Sequence, residues 1–120
     1  MSKSFRDLAA YQKAYRLALE IHRESQKFPK IEQYGGLAEQ LRRSSKSVAY
    51  NIAEGYARNE TSTADFKRFV GMAKSSCEEL RSQLDFSKDL GYITAEAHSD
   101  YEEGCVEVRK ILTAIQKKWK

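Results

Sequence analysis

The stretch Leu37 to Arg58, LAEQLRRSSKSVAYNIAEGYAR, decides how this chain reads. At about 100° per residue, one helix face carries Gln40, Ser44, Ser47, Asn51, Glu54 and Arg58, alternately four and three residues apart. Heptad spacing is thus occupied by polar groups. Beside them runs an apolar seam of Leu37, Leu41, Val48 and Ile52, and beyond it a face with Arg42, Arg43, Lys46 and Tyr50. A merely solvated face favours long Lys and Glu side chains, whereas short amides and hydroxyls let another helix approach closely. The polar row is therefore expected to be a structural packing seam, against another helix of the chain or against a second copy.

The flanking segments repeat the helical period. Before this stretch, Ala10, Ala14, Leu17 and Ile21 form one stripe, widened by Tyr11, Tyr15 and Ala18, while Arg6, Lys13, Arg16, Arg23 and Lys27 collect on another face. Ser4 and Asp7 suit a helix start, and Pro29 restricts Phe28 away from helical geometry. Ile31 and Tyr34 then read as apolar anchors of an ordered connector that ends at Gly35 and Gly36. Gly55 is a natural place for the second helix to fray or cap. Asn59, Thr61, Ser62 and Thr63 are candidate caps for a third helix whose seam is Phe66, Val70, Ala73, Cys77, Leu80 and Leu84. Met72, Ser76, Glu79 and Gln83 lie next to that seam with the period of the polar row on helix two, so the two rows are placed to face each other. Gly91 closes the third helix and Thr94 opens a fourth, with Tyr101, Cys105, Val108, Leu112, Ile115 and Trp119 inward. Gly104 costs about 1 kcal/mol there unless close packing requires it. No alternating strand pattern appears. The expectation is one all-α domain over residues 1–120, an antiparallel up-and-down four-helix bundle with helices at about 5–27, 36–57, 63–90 and 94–119.

Charge is segregated. Residues 1–58 hold 11 Lys/Arg against 6 Asp/Glu, residues 59–108 hold 5 against 11, and residues 109–120 hold 5 against none. The total of +4 and the pI near 9.1 permit an acidic partner without requiring one. No run approaches the roughly 18 apolar residues of a membrane span, and MSKSFRDL lacks the apolar core of a secretion signal. No membrane association is expected, and the expected location is the cytoplasm.

Chemistry-bearing patterns are sparse. Cys77 and Cys105 sit at core spacings and read as buried thiols. Neither His22 nor His98 follows a glutamate by three residues, as a di-iron bundle requires, and both read as surface residues. There is no phosphate-binding glycine loop, no GxSxG, no HExxH, and no Cys/His spacing suited to zinc. Asn51 and Glu54 read as members of a hydrogen-bond network rather than a catalytic pair. The expectation is a protein that is not an enzyme, with no cofactor and no metal. For nucleic acid, the candidate backbone contacts are Lys13, Arg16 and Arg23 on helix one, Arg42, Arg43 and Lys46 on helix two, and Lys117, Lys118 and Lys120 at the tail. Tyr50 is a candidate base-stacking platform. The alternative is a protein scaffold without nucleic-acid affinity, in which acidic residues of neighbouring subunits satisfy these cations.

Particular residues also match a known pattern: Asp7-Leu8 and Ala14; Phe28-Pro29, Glu32 and Tyr34; Gln40, Arg43 and Ser47; the string Asn51-Ile52-Ala53-Glu54-Gly55 with Arg58; then Phe66, Phe69, Ala73, Ser76, Glu79, Leu80 and Leu84. On these, from Phe5 to about Ile93, the chain resembles the bacterial four-helix bundle family that includes proteins encoded by intervening sequences within 23S rRNA genes. It departs at Tyr11, where the family often has tryptophan, at Ala49, where proline is common, and at Ser75, where glycine is common. The resemblance implies an up-and-down bundle assembled as a homopentamer. A distant relative serves diversity-generating retroelements, where a basic pentamer engages a reverse transcriptase and nucleic acid. By that analogy RNA or DNA, and a protein partner, are expected beside the chain itself.

Overall fold

In the computed structural model, which describes residues 4–118, four helices carry the apolar seams inward: α1 (Ala9–Ser25), α2 (Leu37–Arg58), α3 (Thr63–Asp89) and α4 (Ala95–Lys118). Each packs on its two neighbours in the ring α1, α2, α3, α4. The short connections after α2 and α3 force antiparallel neighbours, giving a four-helix bundle of 44 × 25 × 20 Å. Among the described residues there is no strand, and no helix is long and apolar enough to cross a membrane. Trp119 and Lys120 lie outside the described residues.

The seam residues fill two adjoining core clusters. Ala10, Ala14, Val48, Ile52, Phe66, Val70, Ala73, Cys77, Val108 and Leu112 form one. Leu17, Ile21, Leu37, Leu41, Leu80, Leu84 and Cys105 belong to the other. Both cysteines are free buried thiols. Burial raises the Cys77 thiol to about 11 and pushes Cys105 up as well, which disfavours the thiolate at both.

Helix one does not run continuously from residue 5. Ser4 caps a 3-10 turn over Phe5–Asp7, accepting from the Arg6 amide at 3.1 Å. Leu8 is then extended, with ψ 129°, and packs against the core. That side chain is partly buried there, and its packing accompanies the break in the helix.

Gly55 departs from expectation, whereas Gly104 meets the close-packing condition set for it. Gly55 lies inside α2 and is buried, because a β-carbon there would stand 3.1 Å from Phe69 Cβ. It permits close approach of α3 rather than ending the helix. At Gly104 the neighbour is Leu17 Cδ1, 3.0 Å from the position of a β-carbon, so close packing of α1 on α4 accounts for the glycine. Gly91 does close α3. At φ 81° it sits between the bonds Gly91 N–H to Lys88 O (2.9 Å) and Tyr92 N–H to Ser87 O (2.8 Å), a Schellman closure. Ser62 caps α3 through the Asp65 amide at 3.1 Å, and Thr94 caps α4 through Ala97 at 3.0 Å.

The connector between α1 and α2 is held by polar bonds, not by the expected anchors. Ile31 is 84% exposed and Tyr34 89%. Phe28 is buried instead, against Tyr92 at 5.0 Å between ring centroids. Glu32 accepts from the Leu37 amide (2.9 Å) and from the Tyr92 hydroxyl (2.9 Å), which lowers its pKa.

Candidate nucleic-acid interface

Antiparallel pairing of α1 and α2 leaves an apolar cleft between them. Tyr11, Tyr15, Ala18, Leu19 and His22 of α1 face Lys46, Ala49 and Tyr50 of α2 across a cavity of about 320 Å³. Tyr11 and Tyr15 are stacked, 5.9 Å between centroids. Tyr15 and Tyr50 keep 49% and 67% of their surfaces exposed. Arg16 continues the cleft with Arg6 and Gln12, and Arg23 is exposed further along α1. Burial lowers the pKa of His22, and the positive charges of Lys46, Arg42 and Arg23 lower it further. The imidazole thus reports a locally positive field.

The structure divides the candidate cations. Arg16, Arg23, Arg43 and Lys46 take part in none of the ion pairs among the described residues. Lys13, by contrast, is paired with Glu107 of α4 at 3.0 Å. Arg42 is committed to the connector and is not a free contact. Its guanidinium donates to Ser25 Oγ (3.0 Å), Gln33 Oε1 (3.1 Å) and Gln33 O (2.7 Å). The Gln33 amide in turn donates to the carbonyls of Ser25 and Phe28. Sequence reasoning missed this role because it depends on a loop folding back on α2. Lys117 and Lys118 are exposed at the C-terminal end of α4. Helix order places that end away from Arg42, Arg43 and Lys46, which lie in the first half of α2. Lys120 falls outside the described residues.

The polar row of α2 borders a second groove, toward α3. Ser44 is buried, and Ser47 Oγ bonds Ser76 Oγ across the helices at 2.9 Å. Asn51 turns back onto its own helix, donating to Ser47 O (2.8 Å) and Oγ (3.1 Å). Glu54 pairs with Arg58 at 3.4 Å, and Arg58 with Asp65 at 3.7 Å. Gln40, Glu54 and Arg58 are exposed and Ser47 and Asn51 half-buried, so of the row only Ser44 is buried. Gln40, Arg43, Ser44, Ser47, Glu79 and Gln83 line a groove of about 360 Å³. Met72, Phe86 and Leu90 leave 43%, 62% and 56% of their surfaces open on α3.

His98 is not a free surface residue. Its side chain is 15% exposed, and Nε2 lies 2.7 Å from Asp85 Oδ1. Asp85, His98 and Glu102 bring one ligand atom each within 4.8 Å of one another. The spacing of His98 and Glu102, four apart on one helix, was visible in the sequence; the approach of Asp85 from α3 was not.

The sequence profile of the 23S rRNA-intervening sequence proteins matches residues 6–114. The chain belongs to that family. None of the curated proteins matches it. Among solved structures, it is similar to a protein of unknown function from the S23 ribosomal protein family of Bacteroides thetaiotaomicron. That likeness has a TM-score of 0.81 at 24% identity and covers 90% of this chain and 95% of that one. It establishes the fold. Neither description names a catalytic activity.

Proposed function

We propose that this intervening-sequence family member is a non-enzymatic, homo-oligomeric adaptor that binds RNA or DNA backbone along the α1/α2 face. The observation that carries this reading is that Arg16 and Lys46, in no ion pair among the described residues, line a cleft with exposed Tyr15 and Tyr50, with Arg23 further along α1. Unpaired cations release counterion when they meet phosphate, and exposed tyrosines stack on unpaired bases. Assembly uses a different face, that of α2 and α3, where Phe86 and Leu90 line a groove with Gln40, Glu79 and Gln83 and Met72 is exposed on α3. Burying those apolar side chains suits a second copy. Five subunits is what the family resemblance implies. A ring repeats one modest cationic cluster around its axis, so weak contacts act together through effective concentration.

The test is titration of labelled single-stranded and duplex RNA and DNA at two salt concentrations, with subunit number followed by light scattering. Log affinity is expected to fall with log salt by about 0.7–0.9 per phosphate contact, and charge reversal at Arg16 and Lys46 to flatten that slope. Single strands are expected to bind more tightly than duplexes, and Tyr50→Ala to remove the difference, worth about 1–3 kcal/mol per stacked base. Absence of binding at about 50 mM salt with micromolar protein overturns the nucleic-acid reading. A monomer mass at all micromolar concentrations overturns the oligomer.

The second reading is a protein scaffold without nucleic-acid affinity. It is favoured by the acidic character of residues 59–108, which a neighbouring subunit's α1/α2 face complements.

A further inference from the structure

The first turns of α4 are weakly anchored in the core. Its buried side chains are Cys105, Val108 and Leu112, so the segment from Ala95 to Gly104 contributes none. Ala97 and Tyr101 pack there only in part. Side-chain polar contacts do the rest. Tyr101 donates to Glu24 at 3.0 Å, Arg81 donates to Glu102 at 2.9 and 2.6 Å, and His98 meets Asp85.

Within that set we propose a site for one divalent transition-metal ion of the zinc class, held by Asp85 of α3 with His98 and Glu102 of α4. The ligand set is an imidazole and two carboxylates. Imidazole favours zinc, cobalt or nickel over magnesium and calcium. His98 and Glu102, one turn apart, share a helix face. The tight turn after α3 sets Asp85 opposite them. The three ligand atoms already lie within 4.8 Å of one another. Metal–ligand bonds of about 2.0–2.2 Å require donor atoms some 3.4 Å apart. The His98–Asp85 pair, now at 2.7 Å, therefore has to open slightly, and the approach of Glu102 to close. Asp85, with its side chain 65% exposed, is free to make that adjustment, whereas His98 is held in place at 15%.

Arg81 leaves one oxygen of Glu102 open. Both of its bonds to Glu102 end on Oε2, so the guanidinium does not engage the other carboxylate oxygen. An outer partner of this kind fixes a ligand's orientation. The charge of Arg81 is in turn offset by Glu78 at 3.2 Å. Three protein ligands leave a further position for water, and the bound ion clasps the start of α4 to α3.

The experiment uses chelator-treated full-length protein titrated with zinc chloride and with cobalt chloride at neutral pH. One equivalent is expected to bind per chain, with cobalt giving a visible ligand-field band and zinc slowing amide exchange in the first turns of α4. Asp85→Asn preserves a hydrogen-bonding group opposite His98 but removes the anionic ligand. It is expected to keep the fold and to weaken zinc by more than the roughly 10–100-fold that loss of an outer partner causes. His98→Asn is expected to do the same and His22→Asn to change nothing. The buried thiols do not compete. No saturable zinc binding up to about 1 mM, where only loose association remains, overturns the proposal. So does equal binding by the wild type, Asp85→Asn and His98→Asn.

Discussion

Replacing the three helical glycines by alanine separates close packing from simple helix propensity. In an unconstrained helix interior each Gly→Ala change stabilises by about 0.5–1 kcal/mol. At Gly71 the new methyl meets only Gln116 Nε2, at 3.7 Å, an ordinary contact, so the full gain is expected. At Gly55 it meets Phe69 Cβ at 3.1 Å and the Phe66 carbonyl at 3.4 Å. Neither neighbour is the loose end of a side chain, so α3 itself has to retreat. Overpacking of this kind costs about 1–3 kcal/mol, which outweighs the propensity gain and leaves a net loss of about 1 kcal/mol. Gly104 lies between them, because Leu17 Cδ1 at 3.0 Å is a terminal methyl that rotates away.

Urea and thermal unfolding at one fixed protein concentration measure these differences, since assembly makes the midpoint concentration-dependent. For a chain of this size 1 kcal/mol moves the midpoint by about 3–5 °C. Gly71→Ala is expected to rise by that amount, Gly55→Ala to fall by it, and Gly104→Ala to stay close to the parent. If Gly55→Ala stabilises as much as Gly71→Ala, the close α2/α3 approach is not what Gly55 provides. That result refutes the reasoning.

Other outcomes follow from the site. Arg42→Ala is expected to destabilise by about 1.5–3 kcal/mol, since it removes charged hydrogen bonds to Ser25 and Gln33, while Arg43→Ala stays within about 0.5 kcal/mol; denaturant titration of the pair checks this. His22 has a folded pKa below its ordinary 6.5. As pH drops through about 6.5 the unfolded chain takes up the proton first, so stability present above that value declines. Comparing wild type with His22→Gln between pH 7.5 and 5 isolates the decline, and a polyanion bound at the cleft is expected to reduce it. Cys77 and Cys105 are expected to stay unreactive toward a thiol reagent in the native state and to react as two equivalents in denaturant.

The periodic residues were readable because burial on a helix follows the helical repeat. Leu37, Leu41, Val48 and Ile52 all lie at buried positions, as do Phe66, Val70, Ala73, Cys77, Leu80 and Leu84. What escaped has a non-local cause. Leu8 leaves helical geometry where its side chain packs against the core, and Arg42 points at a loop whose path no local pattern specifies. Ile31 and Tyr34, apolar by type, stay exposed because Phe28 and Glu32 already tie the connector down. The candidate cations were identifiable as a class. Which of them stay unpaired depended on Glu107 lying opposite Lys13 and on Gln33 curling back over Arg42.

That sorting bears on the choice between polyanion and neighbouring subunit. Within the acidic block Arg68 pairs with Asp65 and Arg81 with Glu78 and Glu102, and most of its carboxylates lie outside these pairs. Only Lys13–Glu107, Arg58–Asp65 and Arg109–Glu78 join different charge blocks among the described residues. The basic excess of α1 and α2 is therefore left to whatever meets it from outside the protomer. If acidic residues of another subunit meet it, raising salt screens the attraction that holds the ring and subunit mass falls. If nucleic acid meets it, salt releases the nucleic acid, while an interface built on Met72, Phe86 and Leu90 persists, because burial of apolar surface is not weakened by screening. Light scattering of the protein alone between about 50 and 500 mM salt, a range over which the screening length shrinks from roughly 14 to 4 Å, separates the two. Constant mass accompanied by salt-sensitive RNA or DNA binding supports the adaptor. Dissociation with rising salt, without nucleic-acid binding at any salt, assigns the cations to the ring itself.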